Sequence, residues 1–132
     1  MNLESRKVVI EKSSQIVFDF LKDVKNFESL MPVNISKFEL INDEIFLFAL
    51  SGMPEITLKK KYLDSPNIIV LGAEGGKLDF ALTAYIKDIS KNESEVYLNF
   101  KGDFNPMMTM MIKGPISKFI ETLALNISKN CN

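Results

Sequence analysis

The segment Val96-Tyr97-Leu98-Asn99-Phe100-Lys101-Gly102-Asp103-Phe104-Asn105-Pro106-Met107-Met108-Thr109-Met110-Met111-Ile112-Lys113-Gly114-Pro115-Ile116-Ser117-Lys118-Phe119-Ile120 changes period in its middle. Up to Asp103, Val96, Leu98 and Phe100 share one side and Glu95, Asn99 and Lys101 the other, which is a strand with one wet face and one covered face. After Asn105-Pro106 the period becomes 3.6 for about 24 residues, roughly 36 Å of helix. Met108, Ile112, Ile116, Phe119, Ile120, Leu123 and Ile127 form its apolar stripe, with Lys113, Ser117, Lys118 and Glu121 away from it. Pro115 removes the amide that would bond the Met111 carbonyl, yet the stripe keeps its phase across Gly114-Pro115. One kinked helix is therefore predicted.

Working outward, the same alternation places Leu78, Phe80, Leu82, Ala84 and Ile86 opposite Lys77, Asp79, Thr83 and Lys87. From Ile35 to Asp103, breakers recur at spacings of about ten residues: Asn42-Asp43, Gly52-Met53-Pro54, Asp64-Ser65-Pro66-Asn67, Gly75-Gly76 and Ser90-Lys91-Asn92. Six antiparallel strands follow from them. Arg6–Lys12 reads as one earlier strand, and Ser13-Ser14 as the N-cap of a helix with Ile16, Val17, Phe20, Leu21 and Val24 inward. Phe27, Leu30 and Met31 continue that helical pattern to Pro32, as two tandem helices kinked around Lys25-Asn26. A twisted sheet with one apolar face needs a cover, and the last helix is the only element long enough to supply it. The expected architecture is α+β, a helix grip: a curved antiparallel sheet of about seven strands, two short helices after the first strand, and the C-terminal helix in the concave face.

The composition sets limits on chemistry. The 132 residues, 46% hydrophobic, suffice for one domain spanning 1–132 with a real core. There is no histidine, which excludes Ser-His-Asp and Cys-His catalysis in their usual forms and His-ligated metal sites. Cys131, the one cysteine, is penultimate and is expected to fray, so no nucleophilic or disulfide role is assigned to it. Arg6 is the single arginine, the lysines are dispersed and the net charge is −1, so no nucleic-acid partner is expected. No signal peptide is legible and no stretch reaches the roughly 18 apolar residues of a membrane span, giving an expectation of a cytoplasmic protein without an integral membrane segment. Gly72-Ala73-Glu74-Gly75-Gly76-Lys77 is one residue short of a phosphate-binding loop and reads as a turn.

Val8-Val9-Ile10-Glu11-Lys12-Ser13-Ser14-Gln15-Ile16-Val17-Phe18-Asp19-Phe20-Leu21-Lys22-Asp23, then Asn26-Phe27-Glu28-Ser29-Leu30-Met31-Pro32 and the terminal helix with Gly114-Pro115, resemble the START-like (SRPBCC) superfamily. That superfamily includes polyketide cyclases, lipid-transfer domains and small uncharacterised bacterial proteins. The resemblance implies a cavity between sheet and long helix, opening near the helix's N-terminal half and the short helices, which in relatives holds apolar molecules. Its catalytic members tend to place His, Arg, Asp or Tyr in the cavity. This chain has no His and its Arg lies on the first strand, so no catalytic residue is carried over.

Phe46, Phe48, Leu50, Ile56, Leu58, Phe80, Leu82, Leu98 and Phe100 are expected to point inward, as core or as pocket wall. Strict alternation from Ile56 and Leu58 adds Lys60 and Tyr62: either a buried ammonium and phenol facing a ligand, or a bulge or snorkelling side chain at the rim. The candidate ligand pocket is thus Phe27, Met31, Phe48, Leu58, Lys60, Tyr62, Phe80, Leu82, Leu98, Phe100, Met108, Ile112, Ile116 and Phe119. Met107, Met110 and Met111 fall off the stripe and suit an adaptable cavity mouth, an oligomer contact or a membrane-surface dock, or packing on Phe27 and Met31. Non-catalytic binding of a small hydrophobic or amphipathic molecule (lipid, isoprenoid or polyketide-like) is the leading expectation, without metal or cofactor, in a monomer or homodimer. A cyclase- or dehydratase-type enzyme using Tyr62 or Lys60, and an interaction module built on the methionine face, are the alternatives.

Overall fold

The computed structural model describes residues 1–75 and 79–131. Eight strands form one antiparallel sheet: β1 (Asn2–Glu4), β2 (Val8–Ile10), β3 (Ile35–Leu40), β4 (Ile45–Leu50), β5 (Ile56–Asp64), β6 (Ile68–Ala73), β7 (Asp79–Ser90) and β8 (Glu93–Asp103). Their order is β1-β8-β7-β6-β5-β4-β3, with β2 also on β8. Helix α1 (Ser14–Leu21) and a 3-10 helix (Val24–Leu30) follow β2, and α2 (Pro106–Cys131) ends the chain, giving the expected helix grip. Gly76, Lys77 and Leu78, within the predicted fourth turn and its flank, lie outside the described residues.

The first strand departs from expectation. Residues 6–12 supply only β2, and the unforeseen β1 precedes it; both pair with β8, through Leu3 opposite Phe100 and Val9 opposite Glu95. Buried Ser5 bridges them: its amide donates to the Leu98 carbonyl (2.8 Å) and its Oγ accepts from the Leu98 amide (2.9 Å), so the β8 ladder stays satisfied across the irregularity. Beside it Arg6 is tied to Glu121 on α2, amide to Oε1 and Nε to Oε2 at 2.7 Å each.

Ser13 caps α1 as predicted, its Oγ accepting from the Ile16 amide (3.3 Å). The buried face, however, is Ser14, Val17, Phe18 and Leu21; Ile16 is 51% exposed. The helix buries Val17, Phe18 and Leu21 as its apolar face, and on the same side the Ser14 Oγ donates to Asp88 on β7. The break comes at Lys22-Asp23, earlier than predicted, where the Asp23 carboxylate accepts from the Lys25 amide and starts the 3-10 segment.

Asn105 caps α2, its side chain accepting from the Met108 amide (2.8 Å), and Pro106 occupies the first turn, where its missing amide costs nothing. The helix continues without a break through Pro115. Ile112, Ile116, Phe119, Ile120, Leu123 and Ile127 are buried and Met108 is half-buried against the core. Cys131, expected to fray, lies in the last turn with its side chain buried, and burial pushes its thiol pKa up.

Four rings run through the centre of the concavity. Phe27 stacks on Phe46 (centroids 5.3 Å apart), Phe46 on Phe48 (6.0 Å) and Phe48 on Phe119 of α2 (4.9 Å); Phe38 of β3 joins at Phe46 (5.5 Å). All but Phe38 are buried. Truncating Phe48 to alanine removes the middle of this column, and a loss of about 3–5 kcal/mol is expected in denaturant unfolding, the range for a buried phenylalanine. A loss below about 1 kcal/mol, ordinary for a surface substitution, would show that the column does not organise the core.

Candidate functional site

One end of the concavity is left open. A cavity of about 320 Å³ lies between the sheet and the N-terminal half of α2. Ile56, Ala73, Phe80 and Phe100 form its sheet wall, Met108, Ile112 and Ile116 its helix wall, and Phe104 of the β8–α2 link closes the side between them. Met53, Pro54 and Glu55 of the β4–β5 loop, Leu47 of β4, Thr57 of β5, and Glu74 and Gly75 after β6 complete the border.

Phe80, Phe100 and Phe104 make a second aromatic group, distinct from the central column. Centroids are 5.4 Å apart for Phe80–Phe100 and 6.2 Å for each ring to Phe104, and the planes of Phe100 and Phe104 are within 7° of parallel. Gly102 permits this arrangement. It faces Phe80 across the ladder, and a Cβ there would stand 2.7 Å from both Phe104 Cε2 and Phe80 Cβ and 3.0 Å from the Asp79 carbonyl oxygen.

The border carboxylates are already engaged. Glu55 meets Lys37 at 2.9 Å and Glu74 meets Lys61 at 3.0 Å. The hydrogen bond and charge of Lys61 hold the Glu74 carboxyl below its ordinary pKa, and Glu55 raises that of Lys37. Both pairs are solvent-facing, so their value is in occupying the carboxylates rather than in stability. Among the described residues no cluster of three or more His, Cys, Asp or Glu is placed to hold a metal.

The candidate pocket residues divide among four places. Phe80, Phe100, Met108, Ile112 and Ile116 line the cavity. Phe27, Phe48, Leu58, Leu82 and Leu98 are core; the cavity lies at the N-terminal half of α2, as expected, but the short helices do not border it, Phe27 being stacked into the core. Met31 and Phe119 border a separate space of about 390 Å³ lined by the segment after the 3-10 helix and by Pro115, Lys118, Thr122 and Asn126 of α2.

Lys60 and Tyr62 stand apart from all of these. Lys60 lies opposite inward Leu71 but borders a groove at the sheet's rim with Lys22, Asp23, Lys25 and Asp43. A bulge then intervenes: the register slips between Lys60 and Tyr62, so Tyr62 pairs with Val70 on the outer face and is 55% exposed. Neither residue touches the cavity: of the two readings, the bulge and the place at the rim hold, and the buried ammonium and phenol do not. Lys61 is the extra residue, its stem lying over Gly72, where an added Cβ would be 2.7 Å from Lys61 Cγ.

Sequence reasoning missed Phe104, Met53 and the border glutamates as cavity residues. Phe104 sits in the link between a period-2 and a period-3.6 segment, where neither pattern assigns a face. Met107, Met110 and Met111 are exposed at 74%, 84% and 65%, on the solvent side of the same turns that present Met108 and Ile112 to the cavity.

No family model and no curated protein sequence matches the chain. Solved structures do. Norcoclaurine synthase from Thalictrum flavum superposes with a TM-score of 0.76 at 14% identity, over 99% of this chain and 93% of that one. Another of its structures, in complex with dopamine and hydroxybenzaldehyde, gives 0.73 at 16%, over 98% and 85%. The di-domain ARO/CYC BexL gives 0.73 at 13% over 98% of this chain and 46% of its own, and a conserved protein from Geobacillus kaustophilus 0.69 at 14% over 99% and 95%.

Replacing Gly102 by alanine should displace the Phe104 ring and destabilise the fold by about 1–3 kcal/mol, the usual cost of overpacking. Thermal unfolding and the ring-current shifts of methyl signals from Ile112 and Ile116 report the two effects. Unchanged shifts would mean that Gly102 does not set the position of Phe104.

Proposed function

From a START-like helix-grip fold as premise, we propose that the chain binds a small apolar or amphipathic molecule carrying a compact ring system, without turning it over. The observation that carries this reading is the cavity walled by Phe80, Phe100 and Phe104 on one side and by Met108, Ile112 and Ile116 on the other. Near-parallel rings suit a flat partner, which gains stacking beyond simple area burial, and Met108 adds a polarisable thioether that adapts to its outline. At about 320 Å³ the space is at the small end of small-molecule sites, which span roughly 300–1,000 Å³, and so favours a ring compound over a long acyl chain. The solved norcoclaurine synthase complex supports the reading to the extent that the same fold there holds dopamine and hydroxybenzaldehyde.

Binding rather than catalysis is favoured by what surrounds the space. Proton transfer needs a group of suitable pKa within reach of the reacting atom. Tyr62 is on the outer face, Lys60 is at the far rim, and Glu55 and Glu74 are held by lysines. The exposed methionines then serve as a collar through which an apolar ligand passes.

The test is thermal shift and calorimetry against two panels, flat bicyclic and tricyclic aromatics and saturated fatty acids, with native mass spectrometry of protein from its own host. A ring compound at a hundredfold excess over its Kd should stabilise by about 2.7 kcal/mol. Ile112→Trp, which fills the cavity from the helix side, should abolish that gain. A preference for fatty acids would overturn the ring assignment; no binder in either panel and no co-purified mass would overturn the binding function itself.

A further inference from the structure

The sheet ends on a strand whose outer side is unpaired. β3 is bonded to β4 alone and is the last strand on that side. The register fixes which of its backbone groups are free. The Ile41 amide donates to the Ile45 carbonyl directly opposite (2.9 Å), so by alternation Lys37 and Glu39 also bond to β4, through Ala49 and Leu47. Across β4 the Lys60 amide donates to the Glu44 carbonyl (2.9 Å), which assigns Phe46 and Phe48 to β5 and agrees with that phase. The N–H and C=O groups of Phe38 and Leu40 therefore point away from the sheet, and among the described residues neither amide donates to another group.

The geometry points to self-association of this edge: two copies pair β3 to β3, antiparallel, about a two-fold axis at Phe38. Hydrogen-bond phase allows axes at Phe38 or Glu39, and charge selects between them. With the axis at Phe38, the free groups of Phe38 bond to those of Phe38 in the second copy. Lys37 of each copy then stands directly opposite Glu39 of the other, in the non-hydrogen-bonded positions where side chains approach most closely. An axis at Glu39 would pair Phe38 with Leu40 through the same free groups, but would face two carboxylates across a close, non-hydrogen-bonded position. An axis at Leu40 would run the pairing into the Asn42-Asp43 turn, where the chain is no longer extended. Phe38 is anchored by its stack on Phe46, so the strand is held straight before association, and Leu40 and Ile41, exposed in one copy, lie along the new seam. In this register Leu40 lies opposite Ser36 of the second copy, and the irregularity between Ile35 and Lys37 ends the pairing there. A short ladder of this kind gives a reversible dimer rather than a growing fibre, because each copy's edge is consumed by one partner.

Sedimentation across micromolar to millimolar concentration tests this, together with amide exchange of the full chain. A dimer is expected at the upper end, with the Phe38 and Leu40 amides exchanging rapidly when dilute and becoming protected as the dimer forms. Glu39→Lys sets like charges opposite each other twice and should weaken association roughly tenfold or more. Adding Lys37→Glu to that variant restores opposite charges in the same register and should recover most of the affinity. A monomer at every concentration, or a dimer in which these amides remain fast and the paired exchange gives no recovery, overturns the proposal.

Discussion

The stacking of Phe119 on Phe48, with centroids 4.9 Å apart and planes 13° from parallel, is the contact on which the rest of the structure depends. It sets the distance between the long helix and the sheet at one point, and the column through Phe46 to Phe27 and Phe38 brings β3 and the 3-10 helix to the same point. Around it the interior is filled. One, two and three helical turns toward the N-terminus, the side chains of Ile116, Ile112 and Met108 face the space bounded by Phe80, Phe100 and Phe104. A rigid helix pinned near its middle against a curved sheet must stand off from it somewhere. Here the stand-off falls where Gly102 removes a side chain and lets Phe104 fold back as a wall.

Charge is kept at the periphery of this arrangement. The single arginine binds Glu121 on the outside of α2, and Lys37 and Lys61 engage the two glutamates at the cavity's border. Each pair is exposed, so none contributes much to stability. Their effect is on what the cavity offers a ligand: apolar and aromatic faces in depth, and carboxylates already neutralised at the entrance. The chain has no histidine to add an imidazole to this surface.

Most of the architecture was legible because it rests on periodicity. The alternation of Val96, Leu98 and Phe100 and the stripe from Ile112 to Ile127 are forced by burial on one side, and the structure buries each of those residues. Where the period is ambiguous or broken, the reading failed. The apolar pattern of α1 admits two faces, one through Ile16 and Phe20 and one through Val17, Phe18 and Leu21, and the contact of Ser14 with Asp88 that goes with the second has no sequence signature. Strict alternation carried Tyr62 inward, but one extra residue at Lys61 reverses parity, and a bulge leaves no signature in a run of three lysines. β1 was missed because three residues of Asn-Leu-Glu are too short to show a period. The site was read least well for the same reason: Phe104 and the β4–β5 loop border the cavity from segments that have no regular face.

The methionine run at the start of α2 joins the filled and open parts of the molecule. Within five residues the helix must present Met108 to the cavity and leave Met107, Met110 and Met111 outside. Branched residues there would hold fixed shapes on both sides of the turn. Unbranched thioethers adjust χ angles at little cost, so the inner wall can follow a guest without moving the backbone capped by Asn105. Ile112 and Ile116, one and two turns further in, are stiff at χ1 and keep the depth of the space constant. Compliance at the entrance and rigidity at the floor thus follow from the order of side-chain types along one helix. On the proposed function, that gradient lets one fixed aromatic wall accept rings of differing outline.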